Sequence, residues 1–271
     1  MNRKIAAFAW QIVMVCFMFS TIGIPTTQSA LHTSKSLKRP APSSGSIRGT
    51  VTFSGKIPKK LTMTAVGDAA CGKEHPLDRL LLGAGNGVQS TLIFIKNPPA
   101  ASTTSMKQAS ITQTSCRFWP HLVVAARGSS IEFKNEDPVL HNCHGYFYSY
   151  AGNRAERSTA FNIAQPNEGQ RSMQELRKQG MINVECDAGH TWMSAWIWVT
   201  ANPYAVVTDE RGSFSLDGLP AGTYTVVMWH EGWEQKESGV DGRPIFSDPV
   251  VQEREVVVGD GASAQCNFDL R

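Results

Sequence analysis

The residues of this chain best suited to chemistry are Cys186, His190 and Met193, three donors within the segment Cys186-Asp-Ala-Gly-His190-Thr-Trp-Met193. A thiolate, an imidazole and a thioether need one more imidazole to complete a set that holds a copper ion in similar geometry as Cu(I) and Cu(II). That imidazole should come from earlier in the chain, after a strand and a turn. Gly128-Ser-Ser-Ile-Glu-Phe-Lys-Asn135-Glu-Asp-Pro-Val-Leu-His141-Asn142 has this form. Zinc also accepts Cys and His, but its structural sites take four strong ligands and no thioether. The bland alternative is a structural thiol at Cys186 and a core methionine at Met193. Four donors at matching places relative to strands weigh against it.

The pattern resembles the cupredoxins, the plastocyanin-like blue copper proteins, in which a Gly, an apolar strand, an Asn and then His-Asn precede a late Cys, His and Met loop. The likeness runs from Phe118-Trp-Pro-His to Val199. It implies His141, Cys186, His190 and Met193 as ligands of one copper ion cycling between Cu(I) and Cu(II). It also implies that Asn142 and Asn135 tie the two ligand loops together by hydrogen bonds. The loop departs from the family: three residues separate Cys186 from His190, one more than in plastocyanin or amicyanin, so colour and potential do not carry over. The His-x2-Met end is also similar to the dinuclear copper loop of cytochrome oxidase subunit II. That loop needs a second Cys four positions earlier, and residue 182 is Ile, which favours a mononuclear centre.

His141-Asn-Cys143-His144 offers two further donors. Strand alternation would turn His141 and Cys143 to one side and His144 to the other. Cys143 is open to three roles: disulfide partner, buried thiol or additional soft ligand. His144 reads as a surface or supporting residue ahead of a ligand. Trp192 is either a core residue or an exposed apolar patch for docking, while Trp196 and Trp198 alternate onto one strand face as core. His121 and His230 read as structural.

The elements that must position these residues are strands. Short β-branched or apolar runs at 47–53, 61–66, 91–96, 122–126, 130–134, 181–186 and 194–200, set between turn residues, indicate an all-β protein with a Greek-key sandwich. Only 171–178 suggests a short helical turn. After residue 200 the pattern restarts. Thr208-Asp-Glu-Arg-Gly-Ser-Phe and Leu219-Pro-Ala-Gly-Thr-Tyr resemble the turns of the carboxypeptidase regulatory-like, or transthyretin-like, β-sandwich. That likeness implies a binding or spacer module. Gly49-Thr-Val-Thr-Phe53 matches that family's first strand. The expected organisation is therefore a signal peptide or N-terminal anchor at 1–30, a linker at 31–45, a copper domain at 46–200 and a smaller sandwich at 201–271. Residues 46–60 are candidates for pairing with the C-terminal unit.

Of 271 residues, 41% are hydrophobic and 18% charged, as in ordinary globular proteins. Arg3 and Lys4 precede a stretch from 5 to 24 broken strongly only by Gln11, followed by Ser29-Ala30, a secretory pattern also long enough to span a bilayer. Removing 1–30 takes the net charge from +3 to +1 (3 − 2), so nucleic acid is not an expected partner. Residues 31–200 hold 19 Lys and Arg against 11 Asp and Glu, and 201–271 hold 5 against 12, consistent with a boundary near 200. Beyond the signal lie Cys71, Cys116, Cys143, Cys186 and Cys266, an odd number, with Cys71 and Cys116 the preferred disulfide. No hydrolase, phosphate-loop or zinc-protease motif is present. The expectation is an exported, non-enzymatic copper protein that passes single electrons to a redox partner. The alternatives are a copper sequestration or delivery protein working with copper-handling partners, or a carbohydrate-binding or adhesion sandwich with a vestigial metal loop. Membrane contact is expected only through an uncleaved N-terminal segment.

Overall fold

The apolar alternation read from the sequence becomes two stacked β-sandwiches. The computed structural model describes residues 44–271 apart from 65–68, 78, 102, 104–105 and 152–153. The signal or anchor at 1–30, and all but the end of the linker at 31–45, lie outside the described residues. Among these, the protein is all β, with one 3₁₀ turn at Ala84–Asn86 and no α-helix.

The first sandwich pairs a five-stranded sheet with a four-stranded one. The larger sheet runs Arg154–Gln165, His141–Ala151, Gly180–Glu185, Ser194–Thr200, Leu122–Ala126 in spatial order. The smaller runs Arg171–Glu175, Ser130–Asn135, Ser110–Thr114, Arg117–Trp119. Alternate residues of both enter one core, among them Ile111, Ile131, Phe133, Val184 and Ile197. Residues 171–175, expected as a helical turn, form an edge strand paired with Ser130–Asn135. An isolated two-turn helix is marginal in water, and the ladder satisfies the same backbone groups better.

The second sandwich is built from both ends of the described chain. Gly45–Phe53 lies antiparallel to Ser213–Leu219 and parallel to Ser263–Gln265 and Phe268–Leu270. The facing sheet runs Ala205–Val207, Leu92–Ile95, Gly222–His230, Val250–Val258. Leu92–Ile95, which the sequence placed in the copper domain, thus belongs with the C-terminal strands. The reason is its composition: Leu-Ile-Phe-Ile is apolar on both faces, and both are covered. Ile93 and Ile95 enter the core of the second sandwich, while Leu92 and Phe94 join a third cluster with Leu122, Met181 and Trp196. That cluster lies between the two sandwiches, so the five-stranded sheet is covered on both faces, which explains the nearly continuous apolar run Ala195-Trp-Ile-Trp-Val199. Glu231 pins the same junction, accepting hydrogen bonds from Arg79, His121 and Trp196 Nε1.

Candidate metal centre

Three adjacent strands deliver the candidate ligands to one end of the first sandwich. Gly180–Glu185 and Ser194–Thr200 pair antiparallel with Glu185 opposite Ser194, so residues 186–193 are their hairpin connection. Cys186 leaves the first strand and Met193 enters the second. Gly189 adopts φ +88° in the turn between them, a conformation glycine takes without steric cost. On the other side of Gly180–Glu185, His144 lies opposite Glu185, which places the start of His141–Ala151 beside the loop. Asn135 shapes the approach to His141: its Nδ2 donates to the Val139 and Gln165 carbonyls at 2.9 Å each, and its Oδ1 accepts from Asp137 N at 3.0 Å.

Cys186, His141 and His190 converge as a result. Cys186 Sγ lies 3.9 Å from His141 Nδ1 and 3.6 Å from His190 Nδ1, and the two Nδ1 atoms are 3.1 Å apart. All three side chains are buried. Burial pushes the Cys186 thiol pKa up; backbone N–H groups of Ala188, Asn142 and His190, and then the Arg243 guanidinium, oppose that by stabilising the thiolate. Met193 is buried in the same core, and its N–H donates to the His190 carbonyl at 2.9 Å. Asp137 approaches His141 from the far side, Oδ2 to Nε2 at 2.9 Å, leaving Nδ1 toward the thiol. Cys116 also lies near Asp137 and His141, but its sulfur is bonded to Cys71, so that trio is no separate thiolate site.

The remaining candidates divide. Asn142 links the two ligand loops: its N–H donates to Cys186 Sγ at 3.3 Å, and its Oδ1 accepts from Asp187 N at 3.3 Å. Asn135, expected to help link them, instead joins the turn before His141 to the Arg154–Gln165 strand. Cys143 is a free buried thiol between Gln113 Nε2 at 3.3 Å and Gln165 Oε1 at 3.5 Å, and is not grouped with the converging donors. Cys266 is likewise free and buried, in the other core. His144 meets Asp187 Oδ2 at 2.5 Å and Thr159 Oγ1 at 3.0 Å. Cys71 and Cys116 are disulfide-bonded. Trp192 donates from Nε1 to the Cys116 carbonyl at 2.9 Å, stacks on His75 and meets His190 edge-on, so its ring is largely covered.

Sequence reasoning missed Asp137, His75 and Arg243. Asp137 carried a signal, a carboxylate four residues before a candidate ligand histidine. The other two are brought in by distant elements and carried none.

The donor set fits a mononuclear metal ion. A trigonal ion with bonds of about 2.0 Å to nitrogen and about 2.3 Å to sulfur needs donors roughly 3.5–3.7 Å apart. The observed 3.1, 3.6 and 3.9 Å straddle that range. Two imidazoles and a thiol, with Met193 buried in the same core, make a set that copper suits.

No family model and no curated protein matches the chain. Among solved structures, it is similar to a purple cupredoxin from Nitrosopumilus maritimus, at 18% identity and a TM-score of 0.28, over 34% of this chain and 100% of that one. A copper-containing nitrite reductase from Thermus scotoductus aligns at 19% identity and a TM-score of 0.26, over 38% of this chain and 25% of its own. An oxidized point mutant of amicyanin aligns at 14% identity and a TM-score of 0.27, over 40% of this chain and 98% of its own.

Proposed function

We propose that this chain is an exported electron-transfer protein that would hold one copper ion through Cys186, His141 and His190, with Met193 as a further, weaker donor. The observation that carries the reading is the convergence of one sulfur and two Nδ1 atoms within 3.9 Å of one another in a buried site. Copper held there would take up and release one electron between Cu(I) and Cu(II). The chain's own contribution is to set the donors before the metal arrives. His141 is oriented by Asp137, Cys186 accepts hydrogen bonds from the backbone, and water is kept out by burial.

The same geometry favours electron transfer over copper delivery. Extra donors for handing an ion onward would have to come from Cys143 or His144, and both side chains are engaged elsewhere. A vestigial loop in an adhesion or carbohydrate-binding sandwich would not be expected to keep three donors aligned. The Cys71–Cys116 disulfide supports an oxidising, extracytoplasmic setting. A redox protein is the proposed partner, and no catalytic role is proposed.

Copper-loaded protein should contain one ion per chain and show an intense thiolate-to-copper absorption band with a reversible one-electron couple. Cys186→Ala should abolish the band. Substoichiometric copper that does not respond to this substitution would sink the reading, and tightly held colourless Cu(I) would favour delivery.

A further inference from the structure

The second sandwich sends one side chain into the proposed metal loop. Between Gly222–His230 and Val250–Val258 the chain leaves the sheet as a hairpin of Gln235–Ser238 and Pro244–Phe246. Its turn is closed by Gly239 N–H to the Arg243 carbonyl at 2.8 Å and by Arg243 N–H to Asp241 Oδ1 at 3.0 Å. Its far end is held by Arg79, whose guanidinium lies 4.3 Å over the Phe246 ring. Arg243 thus projects from a fixed base.

The Arg243 side chain is only 14% exposed, and its donors span the loop. Nη2 donates to the Cys186 carbonyl at 2.9 Å and approaches Asp187 Oδ1 at 3.3 Å, while Nη1 reaches the Thr191 carbonyl at 3.4 Å. Nε lies 3.4 Å from Glu185 Oε2. A planar fork can bridge two carbonyls five residues apart in sequence in a way that the single point of a lysine cannot. Asn142 also ties the loop at Cys186 Sγ and Asp187 N, His144 meets Asp187, His141 meets His190, and the Cys116 carbonyl holds Trp192. Among the described residues, Arg243 alone joins Cys186 and Thr191, the residues flanking the turn that carries His190.

We propose that Arg243 is the positioning residue of the Cys186–Met193 loop, so that the second sandwich, rather than serving as a spacer, fixes the donor geometry of the first. The redox consequence rests on the copper reading; the stapling of the loop does not. Donor atoms must hold their places to within about 0.5 Å for a site to work as built. A connection this exposed to solvent on one side gains that precision from an external anchor.

Arg243→Met tests the proposal without stranding charges, because Glu185 keeps Arg157 at 2.7 Å and Asp187 keeps His144. In metal-free protein, alkylation of Cys186 followed by peptide mapping, measured across pH and compared per thiolate because Arg243 also stabilises the thiolate, should run about tenfold faster in Arg243→Met than in the parent, given the loss of hydrogen bonds from a charged donor. Cys143 and Cys266 should label at unchanged rates. Arg243→Lys should stay within about threefold of the Met variant, since it keeps the charge and loses the fork. Copper-loaded Arg243→Met should show a displaced absorption band and potential. Unchanged Cys186 labelling, equal acceleration at all three cysteines, or full rescue by lysine would each overturn the proposal. If the parent binds no copper, the electron-transfer reading fails while the labelling result still decides the staple.

Discussion

Asp137 Oδ2 sits 2.9 Å from His141 Nε2, on the side of the ring away from Cys186, and the same oxygen accepts the Cys116 N–H at 2.9 Å. A carboxylate on the outer nitrogen fixes the tautomer that presents the Nδ1 lone pair and holds the ring in place. Asp137→Ala should weaken copper binding by about 10–100-fold in chelator competition, the usual effect of losing such a partner. Asp137→Asn should lose less, because it keeps the orientation but not the charge. Parent-like affinity in the alanine variant would remove Asp137 from the site.

Cys143→Ser and His144→Ala should both retain one copper per chain. The Cys143 thiol points between Gln113 and Gln165, and His144 stacks on Tyr146 with ring centroids 3.9 Å apart. Loss of the absorption band in the serine variant, with folding intact, would make Cys143 a ligand after all.

Glu231 should make the junction between the sandwiches sensitive to acid. Burial alone would raise its pKa, but Arg79, then His121, with hydrogen bonds from His121 and Trp196, hold it at about 2 against 4.5 for the free side chain. A carboxyl depressed on folding contributes its full stability above the unfolded value and loses it as pH falls through the folded one. The contribution, up to about 3 kcal/mol, should therefore disappear between about pH 4.5 and pH 2. Denaturant titrations at pH 3 and pH 7 should show a smaller difference in Glu231→Gln than in the parent. An identical difference would mean that the ion cluster contributes nothing to acid sensitivity.

Replacing Cys71 and Cys116 by serine should lower stability by about 2–4 kcal/mol, because the bridge closes a loop of 45-residue separation in the unfolded chain. The same change should loosen the metal loop, since Trp192 donates to the Cys116 carbonyl. Thermal unfolding gives the first effect and Cys186 labelling the second. Parent-like labelling would separate the disulfide from the loop.

Gly49→Ala should destabilise the second sandwich by about 3 kcal/mol or more. A Cβ at residue 49 would fall 1.7 Å from the Cys266 carbonyl oxygen, and backbone must move to admit it. Parent-like stability in chemical denaturation would show that the two strands can separate there at little cost.

The legible part of the site was the part written locally. Cys186, His190 and Met193 share one loop, and His141 follows an alternating strand, so spacing together with the cupredoxin resemblance singled them out as candidates. Arg243 looked like one more surface charge in an acidic segment, because its meaning depends on a contact 57 residues away. Leu92–Ile95 was found as a strand but assigned to the wrong sandwich, since an apolar run says that both faces are covered and not by what. The hairpin of His141–Ala151 and Arg154–Gln165 was obscured by its composition. His, Asn, Tyr and Ser along one strand do not spell an apolar stripe, and pairing with Gly180–Glu185 supplies the order.

Gly45–Phe53 takes its sheet neighbours from Ser213–Leu219, Ser263–Gln265 and Phe268–Leu270. During synthesis this strand leaves the ribosome well before its ladder partners, which follow only after the whole of the first sandwich has been made. It must stay an open edge throughout that interval, a hazard that favours fast completion of the chain. The ligand loop also emerges ahead of the hairpin bearing Arg243. Until that hairpin follows, the loop lacks the guanidinium that ties the Cys186 and Thr191 carbonyls together.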